Sequence, residues 1–204
     1  MVDVNPQFTP LVFIDKTEYK GITGLNSNQI VQTILNEVNS AKVTNGEIEG
    51  VYLMENKKVI GLRRFLATLK TNLVLDQNIF VNDNFLLGIF NERTSVSTNK
   101  DLFILLKSRS FLDVFPILKN WESKMFADLH GLFRVDINAN TNYLLTKNFE
   151  DGFVNNKNAR ILRDKNGKIV LEYIFADDTS VVITNSDVAA QEIMARLVSS
   201  QIQK

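Results

Sequence analysis

The chain has 204 residues, of which 45% are hydrophobic and 23% charged, with 23 basic and 23 acidic side chains in exact balance. A chain of this size and composition folds around its own core, whereas disordered chains combine low hydrophobicity with high net charge. The balanced charge excludes a general nucleic-acid binder, and the absence of cysteine excludes disulfides, thiolate nucleophiles and thiolate metal sites.

Pro6 and Pro10 make residues 1–10 an extended lead-in. Residues 11–14 read as a short apolar strand. Gly21 and Gly24 then break the chain before Asn26, which with Gln29 forms an N-x-x-Q variant of the capping box. The helix that follows carries Ile30, Ile34, Leu35 and Val38 on one face. Asn45-Gly46 is a turn, and residues 48–54 are a strand. Leu62, Phe65, Leu66, Leu69 and Leu73 return at helical spacing, leaving Arg63, Arg64 and Lys70 for the other side. Residues 76–84 read as a surface loop, 85–90 as a strand and 91–100 as a long polar hairpin loop.

The organising stretch is 101–133. Phe103, Ile104, Leu105 and Leu106 form an uninterrupted apolar run, which suits a strand covered on both faces. Ser110 and Asp113 give a helix start signal, after which Phe111, Phe115, Leu118, Trp121, Met125, Leu129 and Leu132 recur every three or four residues. Pro116 predicts a kink or an irregular first turn, and Gly131 a stop. Residues 134–151 read as loop with a short strand or turn. Residues 159–163 form a strand, Asp164-Lys165-Asn166-Gly167 a turn, and Ile169, Leu171, Tyr173 and Phe175 alternate along the partner strand. Asp177-Asp178 is a second turn, leading to a strand at 181–183 and a last helix opened by Ser186.

These elements predict an α+β fold: a mixed or mainly antiparallel sheet with amphipathic helices packed mainly on one face. The expected organisation is a single domain over 11–204, any division into two lobes falling near 91–100. No apolar run approaches the ~18 residues that a membrane-spanning helix needs.

The chemistry-bearing residues form no recognised constellation, so no catalytic, cofactor-binding or metal-binding residue is assigned and no cofactor is expected. His130, the only histidine, reads as a helix-end residue, because no second histidine completes a metal site with Asp128. Asp164 to Gly167 lacks the closing glutamate of a calcium loop, and neither a nucleophile elbow nor a glycine-rich phosphate loop is present. Trp121 lies in the apolar stripe and reads as core, and the Arg63, Arg64, Lys57, Lys58 and Lys70 cluster as a solvated face.

DLFILLKSRSFLDVFPILKNWESKMFADL and NARILRDKNGKIVLEYIFADDTSVVITNSDVAAQEIMARL resemble an uncharacterised family of single-pass, membrane-anchored proteins from small-genome bacteria. The resemblance covers most of residues 10–198 and implies a soluble C-terminal domain carried outside the cytoplasm behind a Pro-rich connector. It implies no activity. Membrane association would come only through an anchor that this chain lacks. The expected function is a non-enzymatic interaction or structural module of the cell envelope, with a protein partner or self-association and no nucleic acid. The alternative is a small-molecule or glycan-binding protein, or a hydrolase, with a site assembled from dispersed residues such as Arg109, Asp113 and Asp136.

Overall fold

The computed structural model describes residues 11–74, 80–93 and 98–202. The expected lead-in at 1–10 lies outside them, as does part of each loop expected at 76–84 and 91–100. In chain order the elements are β1 (Lys16–Gly21), α1 (Ser27–Ser40), β2 (Ile48–Glu55), β3 (Lys58–Val59), α2 (Leu62–Leu69), β4 (Phe80–Arg93), β5 (Thr98–Ser108), α3 (Phe111–Leu129), a 3-10 turn (Asn142–Leu145), β6 (Glu150–Val154), β7 (Lys157–Arg163), β8 (Ile169–Asp177), β9 (Ser180–Thr184) and α4 (Asp187–Ile202).

Among the described residues nine strands make one sheet, in the order β1-β2-β4-β5-β9-β8-β7-β6, with β3 paired to β2. Only β1 and β2, joined through α1, run parallel; every other pair is antiparallel. The fold is α+β, as expected. β4 and β5 pair from Phe80↔Ser108 to Arg93↔Thr98, so the sheet runs unbroken past 91–100.

Strand alternation sorts the core into two layers. Leu102, Ile104 and Leu106 of β5, with Leu171, Tyr173 and Phe175 of β8, meet the buried faces of α1, α2 and α3. Phe103 and Leu105, with Ile174 of β8, meet Ala189, Ala190, Ile193, Met194 and Leu197 of α4 on the other side. This two-sided cover is why β5 reads as a continuous apolar run.

The helix starts are set by the residues that signalled them. Asn26 accepts from the Gln29 amide while the Gln29 side chain accepts from the Asn26 amide, a complete capping box. Ser110 accepts from the Asp113 amide, and Ser186 from that of Ala189. α2 starts at Gly61, which has no side chain to cap with; Asp83 of β4 accepts from the Arg63 amide instead. α3 continues through Pro116, which sits on its exposed side.

Several boundaries differ from expectation. Residues 11–14 form no strand: Val12 packs on the α4 side and Arg196 donates to the Phe13 carbonyl and the Asp15 carboxylate, so this segment is tied to α4. β4 begins at Phe80 and β5 at Thr98, so both strands extend into the expected polar loops. β1 was not expected as a strand, and β6 begins at the end of the stretch read as loop with a short strand or turn and runs past it. Both are sheet edges with charged residues, KTEYKG and EDGFV, and an edge strand needs no apolar alternation.

Candidate functional site

Arg160 and Tyr173 sit opposite each other on β7 and β8 and face α3, where Glu122 reaches down to both. Arg160 Nε donates to Glu122 Oε1 at 2.8 Å and an Arg160 terminal nitrogen to Oε2 at 3.0 Å, a two-point clamp. The Tyr173 hydroxyl donates to Oε1 at 2.7 Å, and Lys119 Nζ to Oε2 at 3.2 Å. The rest of the guanidinium bonds Asp151 on β6 and the Phe149 carbonyl. Burial would raise the pKa of Glu122, but the bonds from Arg160, Tyr173 and Lys119 outweigh it and hold the carboxyl below its usual range. Burial, then the neighbouring Glu122, pushes the Tyr173 phenol up. Each Glu122 oxygen already takes two donors, so this cluster is a fixed ionic floor with no proton ready to transfer.

Above this floor the sheet edge is left open. A groove of about 260 Å³ lies between the start of α3 and the β6–β8 edge, walled by Phe111, Phe115, Phe153 and Phe175, with the buried Arg160 at its base and the exposed Asp151 at its rim. Phe111 meets Phe175 edge-on at 4.6 Å between ring centres, and Tyr173 meets Phe175 the same way at 5.6 Å, so the inner wall is locked. A second hollow of about 220 Å³ shares Phe111, Asn158 and Phe175 with the first and extends it to Asp177 and Asp178. Phe153 is 75% exposed on β6, and among the described residues no strand pairs with the outer side of β6. An apolar groove therefore lies beside a strand edge with unused backbone groups.

Two further carboxyl pairs are enclosed by the fold. Glu172 of β8 is fully buried under α4 with neither oxygen bonded, beside Asp187 in the first turn of that helix. Glu49 of β2 is buried under α1, next to Glu37. Burial, then Asp187, pushes the Glu172 carboxyl up to about 8, so at neutral pH Glu172 keeps its proton. A carboxyl whose pKa is raised on folding keeps its proton in the folded chain where the unfolded chain has lost it. Stability should therefore fall as pH rises from 4.5, the ordinary value, through about 8, and level off above that. Glu172→Gln should remove most of this fall, leaving the variant more stable than wild type at pH 9 by roughly a few kcal/mol. Urea unfolding at pH 5, 7 and 9 checks it; a wild-type midpoint unchanged between pH 5 and 9 would contradict it.

The structure does not gather Arg109, Asp113 and Asp136. Arg109 and Asp113 lie at the start of α3 and Asp136 beyond its end, and a helix of 19 residues separates those ends by roughly 28 Å. All three are exposed. Trp121 is 4% exposed and its indole donates to Asp128 at 2.6 Å. His130 is the C-cap of α3, its Nδ1 bonded to the Val135 carbonyl. The Asp164 carboxylate accepts from the Asn166 and Lys168 amides, closing the β7–β8 turn. Arg64 is clamped by Glu55, and Arg63 pairs with Asp83. Among the described residues no group of three or more His, Asp or Glu side chains is arranged to hold a metal ion, and no helix is long and apolar enough to cross a membrane.

The groove residues escaped sequence reasoning because three strands and a helix contribute them. Phe111 and Phe115 belong to a stripe that reads as core, yet both are only half-buried. No protein-family model matches the chain, and no curated protein or solved structure is detectably similar to it.

Proposed function

We propose that the domain is a protein-interaction module that takes an extended segment of a partner protein along β6. The segment adds a strand to the sheet edge and places one apolar side chain among Phe111, Phe115 and Phe175. In this mode backbone hydrogen bonds supply affinity and side-chain pockets supply specificity. The observation that carries the reading is the juxtaposition of the open aromatic groove with the free edge and its exposed Phe153. Asp151 and Phe153 are two apart on β6 and share its groove face, so an added strand would set its alternate side chains against that face. The saturated Glu122 cluster supports a binding role over an acid–base one. An envelope setting belongs to this proposal and is supported by the sequence resemblance alone.

Selection of a displayed library of random linear peptides on the domain tests the reading. Enriched peptides should lose binding by at least about tenfold, or 1.4 kcal/mol, on Phe153→Ser, a change at an exposed position that leaves the fold intact. Peptides that bind the variant as well as wild type would overturn it. So would the failure of any peptide to enrich while a glycan array yields a ligand.

A further inference from the structure

The carboxyl pair beneath α1 lies on the opposite side of the sheet centre from the groove, and nothing in the proposed binding reading uses it. Glu49 of β2 is 6% exposed, Glu37 of α1 is 7% exposed, and Glu49 Oε1 has no hydrogen-bond partner while both groups are carboxylates. The other charged groups facing them come from β1. Lys20 Nζ bonds Glu18 at 3.0 Å and also pairs with Glu37. Lys16, the register neighbour of Glu49, is turned away to Glu47 at 2.8 Å. On the β4 side Glu49 meets Ile89, and the nearby Asn91 amide is already donated to the Val43 carbonyl. Among the described residues a single ammonium thus faces three carboxyl groups, and it lies on Glu18 and Glu37.

We propose that a proton held between Glu37 and Glu49 latches the last turns of α1 to β2, and that its loss frees this end of the helix and the following connection to β2. With one proton present, the protonated carboxyl donates to the other and the buried Oε1 gains a partner. When the proton leaves to solvent, two carboxylates face each other in an enclosed site, and repulsion acts on the part of α1 that carries Glu37. Burial, and next the bond to Glu37, pushes the Glu49 carboxyl up to about 7, which sets the release near neutral pH. Retention of the proton below that value keeps the latch closed, and ionisation above it opens the latch. The end of α1 is also the place where Lys100 and Arg134 reach Asn39, so movement there is transmitted to β5 and to the segment after α3.

Carboxyl-carbon NMR of the wild-type protein, with glutamate side chains labelled, reads the latch without any substitution. One buried glutamate should titrate near pH 7, assigned as Glu49 by its loss in Glu49→Gln. Amide exchange at 37–41, corrected for intrinsic rates, should quicken at least fivefold between pH 6 and pH 8. In Glu49→Gln the amide donates permanently to Glu37, so exchange there should become independent of pH. If Glu49 titrates below pH 5, or if exchange at 37–41 in wild type does not change across its titration, the latch does not exist.

Discussion

Arg160→Ala should destabilise the domain by about 3–5 kcal/mol, because it strips a buried carboxylate of its main counter-charge. The Arg160 and Glu122 side chains are 9% and 11% exposed, so losing the guanidinium leaves a largely desolvated carboxylate. Tyr173 and Lys119 still donate to Glu122, which puts the expected loss nearer the lower figure. The same substitution removes the link from α3 through β7 to Asp151 on β6, so the edge strand should loosen too. The paired replacement Arg160→Met with Glu122→Leu should recover part of the loss, because an apolar pair of similar volume avoids the desolvation that the ion pair must offset, while the Tyr173 hydroxyl and the Phe149 carbonyl lose their partners. Urea unfolding of the three proteins checks this. A single variant as stable as wild type would mean that the cluster carries no structural weight.

Gly88→Ala should cost about 3 kcal/mol or more, through overpacking at the centre of the sheet. Gly88 of β4 pairs with Phe103 of β5, and an added methyl carbon would lie 2.1 Å from one ring atom and 2.4 Å from another. The Phe103 ring is fully buried against the α4 layer, and it lies directly over Gly88, whose lack of a side chain makes the bed for it. The ring has to leave that bed for the methyl group to enter. Adding Phe103→Leu to Gly88→Ala should return part of the stability, which distinguishes a steric cause from a backbone one. Thermal melts of the single and double variants measure both effects.

Local signals in the sequence mark out the fold well where a residue acts on its own neighbours. The Asn26–Gln29 capping box, the Ser110 and Ser186 caps and the Asp164 turn each close a ring of two to four residues, and each reads directly from the chain. The α+β class follows from the same signals, together with the two-sided burial of β5. The edges were not legible. β1 and β6 earn their pairing from a neighbouring strand rather than from apolar alternation, and EDGFV has no pattern that announces a strand. The candidate site is less legible again, because Glu122 is 38 residues from Arg160 and 51 from Tyr173, and only the register of β6, β7 and β8 brings Asp151, Arg160 and Phe175 to one face. The buried carboxyl pairs are hidden for the same reason: Glu37 and Glu49 meet only once α1 lies on β2.

The central claim is that the β6 edge and the aromatic groove beside it form the binding surface. Backbone amide exchange of the domain, alone and saturated with a peptide selected on it, tests that most directly. The account predicts slowed exchange on β6, Glu150 to Val154, together with the first turn of α3, and no change on β1 at the opposite edge. Protection on β1 or along α4, with β6 exchanging as before, would contradict it.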